Sequence, residues 1–104
     1  MDATERGQLM ARYAEGYEAV IDALQGITET ELDQQAADGW TCRQIVHHLA
    51  DSETTSYIRV RRLLAEDQPV IQGYDEELFA RTLHYNRPIA TSLEVFRAVR
   101  RATM

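Results

Sequence analysis

The chain has 104 residues, 44% of them apolar, and a formal net charge of −6 from 17 acidic against 11 basic side chains. That length suits one domain with one core, and the apolar share lies well above that of a disordered chain. The acidic balance, with arginine as the sole basic residue type, excludes a general nucleic-acid binder, because phosphates reward a positive surface.

No run approaches the roughly 20 consecutive apolar residues that a bilayer span needs. The start, Met1-Asp2-Ala3-Thr4-Glu5, has no basic region followed by an apolar one. Neither a membrane role nor secretion is expected. Cys42 is the single cysteine, so no internal disulfide forms and a reducing, cytoplasmic location is expected.

Residues 5–25 predict an amphipathic helix. Met10, Ala14, Tyr17, Ile21 and Leu24 recur at alternating spacings of four and three, and Leu9, Tyr13 and Val20 widen the stripe. Gly26 is placed to end it in the left-handed conformation. Thr28 and Glu31 form a capping box that predicts a turn or two of helix, broken by Gly39. Thr41 and Gln44 form a second box and open the longest helix, 41–65, whose apolar positions include Ile45, Val46, Leu49, Val60 and Leu63. Pro69 and Gly73 mark the connection that follows.

Residues 75–82 predict a short helix with Leu78 and Phe79 inward, interrupted by Arg87-Pro88. Thr91 and Glu94 give a third capping box and open a helix with Leu93, Phe96 and Val99 inward and Arg97, Arg100 and Arg101 outward. That pattern is still running at Met104 without a C-cap, which predicts that the sequence continues. No segment alternates strictly as a half-buried strand does. The expected fold is therefore all-α. It is a single domain over 1–104, built as an antiparallel, up-down bundle of three main helices with short connecting helices and incomplete in this chain.

A helical wheel centred on Leu49 places Ile45, Ser56, Val60, Leu63 and Glu53 within about 40° of the centre and Ser52 at about 60°. Two hydroxyls and a carboxylate on an apolar face suit a ligand or metal site between helices. The structural alternative for Glu53 is a buried pair with an arginine from another helix. His48 falls on the flank, near 100°, where a boundary histidine and a metal ligand are both reasonable readings. His47 points away and is expected in solvent. Adjacent histidines diverge too far on a helix to grip one ion. His84 stands alone in a connection, and Cys42 reads as a small packed residue. Arg59, Arg61 and Arg62 fall in the last turns of the long helix, where cations complement its dipole.

The stretch Trp40-Thr41-Cys42-Arg43-Gln44-Ile45-Val46-His47-His48-Leu49-Ala50-Asp51-Ser52-Glu53 resembles a signature of the DinB-like family, which includes the YfiT-type group of metal-dependent hydrolases. The tryptophan precedes a helix start, and "HLADSE" begins eight residues later. Further landmarks are Tyr57, Arg59, Leu63-Leu64, Tyr74-Asp75, Tyr85 and Ser92-Leu93-Glu94. The resemblance implies a four-helix bundle, commonly a homodimer, with a divalent metal (nickel, zinc or manganese) held by three histidines. His48 matches one of them. The other two belong to a late helix that this sequence does not include. Some relatives transfer low-molecular-weight thiols onto small-molecule electrophiles.

Three readings compete at this stage. The chain is part of a divalent-metal-dependent enzyme, of thiol S-transferase or hydrolase type, with His48 as its metal ligand. Or it is a noncatalytic bundle that self-associates to complete its core. Or Ser52, Glu53 and Ser56 line a metal-free pocket for a small ligand.

Overall fold

Each predicted start of a helix rests on a local hydrogen bond, and most are present. A computed structural model of the chain describes residues 2–36, 39–70 and 73–103. Helix α1, Ala3–Ala23, begins where the Asp2 side chain accepts from the Glu5 N–H at 2.7 Å. Gly26 lies beyond its end at φ 72°, a conformation that a side chain would strain. The Thr28–Glu31 box caps α2, Glu29–Leu32. The Thr41–Gln44 box caps α3, Cys42–Ala65. Asp75 caps α4, Glu76–Thr82, through the Leu78 N–H. Helix α5 spans Ala90–Thr103. It starts before the expected Thr91 cap, because the Ile89 carbonyl already accepts from the Leu93 N–H at 3.0 Å. Thr91 is thus inside the first turn. Met104, where the sequence pattern was still running, lies outside the described residues. Among those residues the helices carry no strand partner beyond one isolated bridge, Gln35 to Thr41, and no helix is long and apolar enough to cross a membrane.

The spine of the fold is α3 packed along α5. Leu32, Val46, Ala50, Tyr85 and Phe96 are buried there, together with Arg43, His47, Glu53 and Ser92. Contacts climb both helices together, from His47–Ser92 to Glu53–Arg100. So α5 runs in the same direction as α3, returned to its starting level by α4 and the loops around it. Helix α1 runs against both, with Tyr17 on Phe96 at 6.3 Å and Tyr13 on Arg100 one turn away. The antiparallel alternation expected from the sequence therefore describes α1 against its two neighbours.

The buried face of α3 is not the one centred on Leu49. Ile45, Val60 and Leu63 are 38%, 39% and 55% exposed, while Arg43, Val46, His47, Ala50 and Glu53 are buried. The true centre is rotated by about 100°. A helix whose buried face carries an arginine, a histidine and a glutamate hides that face from any reading of apolar periodicity. Two further expectations reverse. Arg100 turns inward to Glu53, and Cys42 is exposed.

The ion pair explains a glycine. Arg100 donates from Nη2 to Glu53 Oε2 at 2.9 Å and from Nε to Oε1 at 3.1 Å. The Tyr13 hydroxyl donates to the same carboxylate, and the guanidinium lies over the Tyr13 ring. To reach that place Arg100 passes α1 at Gly16, where an added Cβ would come within 1.9 Å of Nη1. This arrangement ties the three long helices at one point. At the other end of the spine, buried Arg43 joins Asp33, Glu29 and the Arg87 carbonyl, fixing α2 and the loop before α5.

Candidate functional site around His48

The two adjacent histidines have opposite surroundings. His47, expected in solvent, has no exposed surface at all. Its Nε2 lies 2.8 Å from the Arg87 carbonyl, which can only accept, so Nε2 carries the proton. Nδ1 then takes the Ser92 hydroxyl at 2.7 Å. Arg87 donates to the same Ser92 oxygen at 3.2 Å, which completes the chain of bonds. Both ring nitrogens are spent, and burial pushes the pKa of His47 down. His47 is a structural residue.

His48 is half-buried on the other flank of α3. Trp40, the residue before the Thr41 cap, meets its ring edge to face at 5.7 Å. That contact accounts for the fixed spacing of tryptophan and histidine in the signature. On the far side, Nδ1 lies 3.3 Å from the Tyr74 hydroxyl, and the two rings are 6.4 Å apart. When Nδ1–H donates to the phenol oxygen, Nε2 keeps its lone pair, as a metal-ligating imidazole must. Ser52, one turn on, is a neighbour of the same hydroxyl. Burial holds the phenol pKa above its ordinary value, so Tyr74 stays neutral beside the imidazole. Phe79 of α4 supports Tyr74 from behind at 4.6 Å.

The expected pocket of Ser52, Glu53 and Ser56 is not assembled. Neighbouring positions on a helix diverge by about 100°. Ser52 accordingly lies on the Tyr74 side of α3, while Glu53 turns to Arg100. His84 is exposed, with φ 56°, and stands apart from both histidines. Sequence reasoning gave no role to Tyr74, Tyr85 or Asp51. Tyr85 is buried and donates to Asp51, and burial with that carboxylate drives its pKa strongly upward. The signal available was an aromatic residue in a polar connection.

The described residues do not by themselves make a metal centre. Among them no three His, Cys, Asp or Glu side chains converge to hold an ion, whereas zinc takes at least three protein ligands. What is present is one oriented imidazole.

The model of the DinB superfamily matches residues 12–103. The chain belongs to the DinB superfamily. Proteins named "Putative metal-dependent hydrolase" are among its relatives. One from Bacillus pumilus is 37% identical over 93 residues, which are 88% of this chain and 51% of that protein. One from Oceanobacillus iheyensis is 48% identical over 61 residues, 59% of this chain and 36% of that one. The solved structure of YfiT from Bacillus subtilis, described as a probable metal-dependent hydrolase with an unusual four-helix bundle topology, superposes with a TM-score of 0.91 at 28% identity. It covers 99% of this chain and 60% of its own. The chain thus spans about half the length, or less, of the curated relatives it matches.

In this member of the DinB superfamily the polar residues of the signature divide their work. Asp51 receives Tyr85, Ser52 and His48 meet Tyr74, and Glu53 holds Arg100 and Tyr13. His48 meets Tyr74 through Nδ1 alone.

Proposed function

We propose that this chain supplies the His48-bearing part of the active site of a divalent-metal-dependent enzyme acting on small molecules, of hydrolase or thiol-transferase type. The observation that carries this is the mounting of His48. Trp40 and Tyr74 fix its ring, Tyr74 occupies Nδ1, and Nε2 is left to ligate. The names of the relatives support a metal, and nickel, zinc or manganese would each suit an imidazole site. The remaining ligands come from outside the described residues, in a cytoplasmic protein.

The test is paramagnetic broadening of the three histidine ring signals on titration with manganese. His48 is expected to broaden first, with His84 lagging and His47 last. Broadening that favours exposed His84, or that persists on the neighbours of position 48 in His48→Ala, would overturn the assignment.

A second reading has its own observation. Ile45, Val60 and Leu63 form an uncovered apolar stripe on α3, which favours a homodimer that completes the bundle. Native mass of the wild type against Leu63→Glu tests it, with a shift to monomer expected in the variant.

A further inference from the structure

The connection between α4 and α5 forms one wall of a cavity of about 340 Å³, closed on its other sides by the ends of α2 and α4 and the first turn of α3. That volume lies at the lower end of the range for small-molecule sites, roughly 300–1,000 Å³. We propose that this cavity binds a phosphate group, either free or carried by a small polar molecule.

The acceptors of the wall are spent. Asp33 is its one carboxylate, and Arg43 covers both oxygens, donating from Nε to Oδ1 at 2.8 Å and from Nη2 to Oδ2 at 3.4 Å. Glu29, which shares Arg43, lies outside the wall. Gln44 Oε1 accepts from the Thr41 N–H at 2.9 Å, which leaves Gln44 its amide hydrogens to offer. The donors are unspent. Among the described residues no ion pair engages Arg81, Glu77 one turn earlier included. Nor does a hydrogen bond within that set engage the side chains of Arg81, His84 or Asn86.

Unspent donors around a cavity without free acceptors suit an occupant rich in acceptors. A phosphate ester brings two negative charges and three strong acceptor oxygens, and guanidinium binds such an oxyanion in a two-pronged bond. A carboxylate has two oxygens and would leave more of these donors unsatisfied. The wall has little to hold a hydrocarbon body beyond Ala80 and the ring of Tyr85, whose hydroxyl is turned to Asp51.

The wall is also fixed before any ligand arrives. His84 holds the left-handed conformation at φ 56°, which histidine adopts more readily than most residues. Its carbonyl accepts from the Arg87 N–H at 3.1 Å and from Arg87 Nη1 at 3.2 Å, while Nη2 donates to Ser92 of α5 at 3.2 Å. Arg87 thus clamps the turn to α5. Across the cavity, the Thr41–Gln44 box fixes the first turn of α3. Groups held in place beforehand lose less freedom on binding. None of Trp40, Ser52 and Tyr74, the neighbours of His48, lines the cavity, so binding here needs no metal.

The experiment titrates glycerol 3-phosphate, inorganic phosphate and glycerol into the 104-residue chain, without metal and at constant ionic strength, and follows backbone amide shifts. Glycerol 3-phosphate is expected to saturate with a dissociation constant of about 1 mM, with shifts centred on Gln44, Arg81, His84 and Asn86. Glycerol is expected to give none. Tighter binding of the ester than of inorganic phosphate identifies the ester as the ligand, and equal or weaker binding identifies the free anion. Arg81→Gln, at an exposed position, should weaken binding about tenfold. His84→Asn keeps a residue that tolerates the left-handed turn and should weaken it about threefold. Arg97→Gln, exposed on α5 and outside the wall, should change nothing. A lack of saturation by about 10 mM, shifts centred elsewhere, or wild-type affinity in Arg81→Gln would overturn the proposal. So would an equal loss in Arg97→Gln, which would mark a response to net charge alone. His48→Ala should leave phosphate binding unchanged while removing the manganese effect, so the two readings fail separately.

Discussion

The two flanks of α3 spend their polar residues in different ways. Toward α5, Arg43, His47 and Glu53 are buried and every one is held by partners from another element. Toward Tyr74 and α4, His48 and Ser52 are only half-buried, and Arg59, also half-buried, lines a cleft together with Tyr74. His47 and His48 are adjacent, and the helix turns that single step into a change of role. Polar groups that are buried and paired fix a packing. A polar group that is oriented on one side and open on the other is available for chemistry.

Substitutions on the two flanks should therefore differ most in stability. Glu53→Ala strands Arg100 among Tyr13, Phe96 and α1. It is expected to cost about 3 kcal/mol in urea unfolding, the scale for breaking one partner out of a buried pair. His47→Ala leaves the Ser92 hydroxyl and the Arg87 carbonyl without their buried partner and opens a cavity, for about 2 kcal/mol. His48→Ala, one residue on, is expected to cost under about 1 kcal/mol. A His48 variant as damaging as the His47 variant would erase the contrast.

Acid sharpens the same comparison. The folded pKa of His47 is depressed below its unfolded value of 6.5 by burial. Its contribution is thus complete above pH 6.5 and is lost as the pH falls toward the folded value, since the unfolded chain binds the proton more readily. Stability should decline through this window, and His47→Gln should flatten the decline. A slope unchanged in His47→Gln would show that other groups carry it. The smallest effect belongs to Tyr74→Phe. It should leave unfolding within about 0.5 kcal/mol of wild type but shift the His48 Nδ1 resonance, while the His47 signals stay in place.

How legible this was depends on whether the determinant is local. Two helix starts were readable because a capping side chain acts within three residues, as at Thr28 and Thr41. The cap at Thr91 failed because a neighbouring carbonyl, that of Ile89, began the helix earlier. The wheel of α3 failed for a different reason. Its conspicuous apolar residues, Ile45, Val60 and Leu63, are the uncovered ones, and three of its five buried ones, Arg43, His47 and Glu53, are polar or charged. Partnership across the bundle was anticipated in kind for Glu53, as an arginine pair. Its identity, Arg100, was assigned to the outside, because a charged residue near a helix end has a sufficient local explanation. The signature singled out His48 as a candidate, and the contact with Tyr74, 26 positions further along the chain, had no local signal.

The edge-to-face contact of Trp40 with His48 has a practical consequence. Trp40 is the chain's sole tryptophan, so all indole fluorescence originates 5.7 Å from the His48 ring. Emission from the native chain is a built-in optical probe of that ring. A paramagnetic ion that quenches it, or a bound solute that shifts its colour, reports on His48 without a label and without the background that a second indole would add.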